Sequence, residues 1–241
     1  MANRMKVEVW SDVMCPFCFI GKRHYEKAIE QFADAANVEL EWKSFQLDPN
    51  VPVDLNGKQS VQEYLSVSKG LTMDQAGQMT AGATQMATKA GLDIDFNKAV
   101  AANTFKAHRI IQKAKTKDLG NAIEEAFFSA HFIEGLDVGD DATLINIGKK
   151  AGLTEEEVKE ALTNDRYSYH VNQDIMEARN IGVSGVPFFV FDRKYAVSGA
   201  QPVEVFLNTL QKSFTEWRKA NPAVQLEVSE GPTCTPDGVC N

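Results

Sequence analysis

The sequence predicts an α/β protein in which two strand-bearing halves are separated by a long all-helical block. Three observations predict it. Two segments with strand patterning, Val7-Glu8-Val9-Trp10 and Val38 to Phe45, flank a helix-length amphipathic run near the start. From about Ser60 to Arg166 no β-branched alternating run occurs; instead Ser60-x-x-Glu63, Thr72-x-x-Gln75 and Thr154-x-x-Glu157 have the form of capping boxes that open helices. Past that block the strand pattern returns in the wholly apolar Phe188-Phe189-Val190-Phe191.

The first strand hands over to Cys15-Pro16-Phe17-Cys18, which opens the amphipathic run Phe19 to Phe32. In the second strand Val38, Leu40, Trp42 and Ser44 alternate onto one face, and the helix-length crossover predicts that it lies parallel to the first. Leu47 to Lys58, with Pro49, Pro52, Asn56 and Gly57, reads as a breaker. Within the helical block, Asn97 to Lys115 carries Val100, Thr104, Ala107, Ile110, Ile111 and Ala114 at helical spacing. Asp118-Leu119-Gly120 interrupts it, and Asn121 to Ile133, Leu144 to Ala151 and Glu155 to Leu162 supply further helices. Tyr169 to Asn180 is another, closed by Gly182. The turn Val183 to Pro187 leads into the third strand, Asp192-Arg193-Lys194 turns it into the hairpin partner Tyr195-Ala196-Val197, and Pro202 to Lys219 is the last helix.

Two cysteines three apart, where a strand meets a helix, make a redox device. The unpaired N–H groups and partial positive charge of a helix N-terminus favour a thiolate, and Pro16 suits the first turn because its missing N–H had no partner there. Cys15 is then the exposed, low-pKa nucleophile and Cys18 the resolving thiol. The competing reading, half of a zinc site completed by Cys234 and Cys240, is disfavoured by the wide spacing of that second pair and by the helix-opening position of the first. Thr235 to Val239 has turn chemistry that brings Cys234 and Cys240 together; a tail staple and a second redox pair exchanging electrons with Cys15 both remain open. His24, Met79 and Met86 read as ordinary helix or groove residues. Asp12 either caps the turn before Cys15 or tunes it, and Arg109 either grips a substrate carboxylate or forms a structural pair.

A net charge of −8 disfavours nucleic-acid partners. No window approaches the apolar length that spans a membrane. The start, Met1 to Lys6, lacks an apolar leader, which together with a CxxC that must cycle leads to the expectation of a cytoplasmic protein.

Ser11-Asp12-Val13-Met14-Cys15-Pro16-Phe17-Cys18-Phe19-Ile20-Gly21-Lys22, Asn103-Thr104-x-x-Ala107-His108-Arg109, Gly182-Val183-x-Gly185-Val186-Pro187-Phe188 and Val197-Ser198-Gly199-Ala200-Gln201-Pro202 follow one another in the order found in FrnE-type proteins. The chain thus resembles the DsbA-like branch of the thioredoxin superfamily, related to 2-hydroxychromene-2-carboxylate isomerase and kappa-type glutathione transferase. The resemblance implies a thioredoxin-like fold with a large helical insertion: 1–58 and 167–220 as the two parts of the thioredoxin-like domain, 59–166 as the insertion, and 221–241 as a tail carrying the second cysteine pair. It also implies a cis Val186–Pro187 bond facing the CxxC. The Val186 N–H and C=O are then free to pair with an extended substrate, and Gly185 permits the close approach.

The expected function is thiol–disulfide exchange, oxidising, reducing or isomerising disulfides of protein or small-molecule thiol substrates. It needs no metal or organic cofactor, with glutathione available as a thiol co-substrate, in a monomer or homodimer. Two rivals stand beside it: a glutathione-dependent isomerase or transferase of the same fold, which commonly has serine where Cys15 stands, and a peptide-binding chaperone without chemistry.

Overall fold

A computed structural model describes residues 3–55 and 57–222. Four strands form one mixed sheet in the order β2-β1-β3-β4. β1 (Met5–Ser11) lies inside it, and Met5, Val7, Val9 and Trp10 are fully buried, as a strand covered on both faces requires. β2 (Val38–Ser44) runs parallel to β1 in the register Met5↔Val38 to Ser11↔Ser44, with α1 (Pro16–Glu30) as the crossover. β3 (Phe188–Phe191) pairs antiparallel with β1 and, through a hairpin, with β4 (Tyr195–Ser198). Asp192 and Arg193 both take positive φ, 48° and 55°, which gives the tight turn the twist that a hairpin needs.

The helical block contains α2 (Val61–Lys69), α3 (Met73–Ala90), α4 (Phe105–Lys115), α5 (Gly120–Phe132), α6 (Asp141–Lys150) and α7 (Glu155–Thr163). α8 (Asp165–Asn180) carries the chain back to the sheet, and α9 (Val203–Ala220) packs on α1 and the hairpin. All three expected capping boxes form, at Ser60/Glu63, Thr72/Gln75 and Thr154/Glu157.

Three helices start elsewhere than the periodicity indicates. α4 begins at Phe105, not Asn97, because the preceding residues pair with the segment before α2: Val61 N–H donates to Ala99 O at 3.3 Å and Ala101 N–H to Gln59 O at 2.9 Å. Asn103 Oδ1 then accepts the Phe105 N–H at 3.0 Å and ends that extended stretch. α6 opens at Asp141 rather than Leu144, since Asp140 caps it, accepting from Thr143 N–H at 2.8 Å. α8 opens at Asp165 rather than Tyr169, capped by Asn164.

α1 is fixed between the sheet and the helical block. Phe19 stacks on Phe128 of α5 at 5.0 Å, and Trp42 of β2 meets the same ring edge-on at 6.4 Å. Lys22, 2% exposed, reaches from α1 to Glu125 at 2.8 Å. On the other face of β1, Trp10 packs with Ala178, Val183 and Val190 and donates its indole N–H to the Asp174 carbonyl at 2.9 Å. The Asp174 carboxylate accepts from Ser44 N–H at 3.0 Å and from Gln112 Nε2 at 2.6 Å, joining α8, β2 and α4 in one buried contact.

Candidate active site

The loop from β1 to α1 delivers both cysteines. Cys15 is the N-cap of α1 with extended backbone (φ −92°, ψ 110°), and Pro16 occupies the first helical position. Cys15 N–H donates to Asp12 O at 2.9 Å, and Cys18 N–H to Cys15 O at 3.0 Å. The first turn of α1 itself carries no acidic residue to offset the positive end of the helix at Cys15. Both cysteines are free thiols.

Cys15 is not exposed as the sequence led us to expect; it is 3% accessible. An N-cap sulfur in isolation would face solvent, but here the helical block and the breaker segment close over it. They leave a cavity of about 300 Å³ whose wall includes Cys15, Phe17, Leu47, Val51, Tyr64, Leu65, Met79, Phe96 and Val186. Small apolar clefts with few polar groups are the usual form of a ligand site. Tyr64 donates its hydroxyl to Asp48 Oδ2 at 2.6 Å within that wall. Burial and then Asp48 push the Tyr64 phenol up to about 12, so it stays a hydrogen-bond donor. Cys18, 1% exposed, lies deeper, and burial followed by the neighbouring Cys15 sulfur raises its thiol well above the ordinary value.

The Val186–Pro187 bond is cis, and the Cys15 thiol donates to the Val186 carbonyl at 3.4 Å. The carbonyl expected to be free for an extended substrate is therefore engaged by the thiol. Pro187 O accepts the Gly199 N–H at 2.8 Å, which ties the loop to the end of the hairpin.

The glycine that permits the close approach is Gly21, not Gly185. A Cβ at Gly185 would meet nothing within 4 Å, whereas one at Gly21 would lie 3.0 Å from Pro187 Cγ and 3.4 Å from the Phe189 ring. Gly21→Ala is expected to lower disulfide-exchange activity about three- to tenfold by displacing Pro187. Stability should fall by only about 1 kcal/mol, since the helix-propensity gain of alanine offsets much of the crowding. Turnover and urea unfolding on the same variant check this, and a larger loss of stability than of activity would refute it.

The remaining singled-out residues have structural partners. Asp12, 2% exposed, caps the turn: its carboxylate accepts from Leu47 N–H at 2.7 Å and Met14 N–H at 3.4 Å. Arg109 donates Nε to Ala161 O at 2.8 Å, and His24 Nδ1 lies 2.8 Å from Gln201 O, so each braces its helix. Met79 lines the cavity and Met86 does not. Sequence reading missed Tyr64 of α2, Phe96 after α3 and Leu47, which carry no motif; the segment that holds Leu47 reads only as a breaker, yet it supplies part of the cavity wall. Cys234 and Cys240 lie outside the described residues.

Residues 6–211 match the model of the DSBA-like thioredoxin domain. Protein YwbO of Bacillus subtilis, itself uncharacterized, is 28% identical over 202 residues, covering 83% of this chain and 92% of its own. Among solved structures, a probable DsbA oxidoreductase from Streptomyces coelicolor superimposes with a TM-score of 0.82 at 35% identity, over 99% of both chains. The cytosolic disulfide reductase DsbM of Pseudomonas aeruginosa, solved with GSH, gives 0.62 at 15% identity over 87% of this chain and 99% of its own. A 2-hydroxychromene-2-carboxylate isomerase gives 0.63 at 13% identity over 90% and 98%. The last two likenesses are of fold alone.

Proposed function

The chain belongs to the family of DSBA-like thioredoxin domains, and from that premise we propose that it is a thiol–disulfide oxidoreductase in which Cys15 is the nucleophile and Cys18 the resolving thiol. The observation that carries this is the placement of Cys15: at the N-cap of α1, in the wall of an apolar cavity, against the backbone of Val186.

The exchange follows from that placement. Once Cys15 is a thiolate it has no proton to donate, so the Val186 carbonyl is released to accept from a substrate backbone N–H, in the manner of strand addition. The thiolate attacks one substrate sulfur, a Cys15–substrate disulfide forms, and the other substrate sulfur leaves as a thiolate and takes a proton. Cys18, held protonated until then, loses its proton and attacks the Cys15 sulfur. The Cys15–Cys18 disulfide forms, the second substrate thiol departs, and two electrons have passed from protein to substrate. The same steps reversed donate the disulfide to a dithiol.

Neither metal nor organic cofactor enters; glutathione or another thiol returns the pair to its reduced form. A reducing compartment, the cytoplasm, supplies such thiols, and DsbM, a cytosolic reductase of the same fold, offers a parallel. No helix among the described residues is long and apolar enough to cross a membrane. The presence of a cysteine at position 15, with a second in reach, favours redox exchange over the transferase reading.

Cys18→Ser tests the division of labour. With the resolving thiol gone, the mixed disulfide on Cys15 should accumulate with a chromogenic aromatic disulfide, to about one equivalent per chain and many times longer-lived than in the unaltered protein. Peptide mapping by mass spectrometry locates it. Turnover at an undiminished rate in Cys18→Ser would sink the assignment of Cys18.

A further inference from the structure

The cavity beside Cys15 has a size, a lining and a charge that together narrow what can reach the sulfur. Its volume is about 300 Å³, which stands at the lower end of the range for ligand sites, roughly 300–1,000 Å³. Cys15 lines it and is only 3% accessible, so a disulfide meets the sulfur from within this space and not from the open surface. The deep wall is apolar: Val51, Val61, Ala83, Phe96 and Ala102 line it and each is buried. Leu47, from the segment after β2, and Met79, from α3, belong to the same lining but are half exposed, which marks where it opens.

The polar groups of the wall are spent in a way that favours one kind of occupant. Tyr64 donates its hydroxyl to Asp48 Oδ2 at 2.6 Å, and the Asn50 N–H donates to Asp48 Oδ1 at 2.8 Å. The Tyr64 hydrogen bond holds the Asp48 carboxyl below its usual range, so it is a carboxylate near neutrality. Asp12 adds a second acidic side chain to the lining, and Thr80 spends its hydroxyl on the Gly77 carbonyl at 3.0 Å. Among the described residues that line the cavity, Lys69 is the one lysine or arginine; it is exposed, and its charge already favours the Asp48 carboxylate. Arg109, whose guanidinium suits a bidentate grip on a carboxylate, is not in the wall and donates to Ala161 O instead.

We infer that the preferred substrates at Cys15 are small, uncharged disulfides with apolar substituents, and that Asp48 is the residue that selects against carboxylate-bearing ones, oxidised glutathione among them. The inference rests on disulfide exchange at Cys15. The Cys15 thiolate attacks one substrate sulfur; the S–S bond breaks as the Cys15–sulfur bond forms, and the departing thiolate takes a proton from solvent. Cys18 then displaces the second thiol from Cys15, so the dithiol loses two electrons and the substrate gains them. An apolar substituent that enters leaves water for an apolar wall, which favours its approach, whereas a carboxylate sheds water beside a like charge.

The test is the rate at which the reduced full chain reacts with dithiodipyridine, with its carboxylated analogue dithiodinicotinic acid and with oxidised glutathione. Each rate is divided by that of the same disulfide with mercaptoethanol, which removes differences in intrinsic reactivity. Dithiodipyridine should lead its carboxylated analogue by about tenfold and oxidised glutathione by more. In Asp48→Asn, which keeps an acceptor for Tyr64 and removes the charge, the carboxylated compound should gain about threefold on dithiodipyridine. Ala83→Leu extends a side chain into the cavity and should slow dithiodipyridine about fivefold, measured against alkylation by the much smaller iodoacetamide as the gauge of Cys15 itself. Equal normalised rates for the three disulfides overturn the inference, and so does a preference that neither variant moves. A chain that forms no Cys15 adduct with any of the three overturns the proposed function instead. The series on the unaltered chain decides the matter if either variant fails to fold.

Discussion

Cys15→Ser is expected to abolish disulfide reduction, by on the order of a thousandfold or more, while leaving the fold intact. A serine hydroxyl is not ionised near neutral pH and cannot replace a thiolate as the attacking group. The substitution is nearly isosteric, and the lost contact is a single thiol hydrogen bond to Val186 O, so the thermal midpoint should move little. Insulin reduction with dithiothreitol as the electron source measures the loss against the uncatalysed rate. The same variant separates enzyme from chaperone. If unfolded-chain binding through the apolar cavity were the whole function, suppression of aggregation would persist and nothing else would be lost. Insulin reduction that survived Cys15→Ser would end the proposed mechanism.

Asp174→Ala carries the largest expected effect on stability, a loss of about 3 kcal/mol, because buried partners are left with nothing to replace it. The Ser44 N–H and Gln112 Nε2 each lose an acceptor. Lys43 loses the strongest of the carboxylate charges that hold it ionised against its burial, leaving Glu41, Glu177 and Glu8. For a chain of this size that loss lowers the thermal midpoint by roughly 6–12 °C. Asp174→Asn should cost less than alanine, since the amide oxygen can still accept from Ser44 and only the charge is gone. Urea denaturation of the three proteins decides the order, and an alanine variant within about 1 kcal/mol of the parent would show that the contact is dispensable.

How far the sequence could be read depended on whether a residue's chemistry is local. CPFC at a strand–helix junction, Val186-Pro187 ahead of an apolar strand, and three capping boxes announce themselves through neighbours within a few positions, and each took the predicted place. The cavity does not announce itself, because Leu47, Tyr64, Met79 and Phe96 converge from separate segments with no shared spacing. Periodicity misled at Asn97 to Thr104, where Val100 and Thr104 fit a helix but the backbone pairs with residues 59–61 instead. Gly21 looked like part of a motif string; only the Pro187 ring 3.0 Å from its missing Cβ shows why a side chain is excluded. Asp12 left two roles open, and Leu47 N–H supplied by a distant loop decided for the cap.

The insertion also orders events during synthesis. Val7 of β1 pairs with Phe191 of β3, yet β3 leaves the ribosome on the order of 180 residues later, which at common translation speeds is roughly 10 to 35 s. Through that interval β1 has β2 on one side and an open hydrogen-bonding edge on the other, the kind of edge that recruits other chains. The helical block, rich in short-range contacts, is free to fold meanwhile and cover the Phe19 face of α1. Closure of the β1 edge, and with it the meeting of Val186 and Cys15, therefore waits on the last quarter of the chain, so a nascent protein carries Cys15 long before the cavity around it can form.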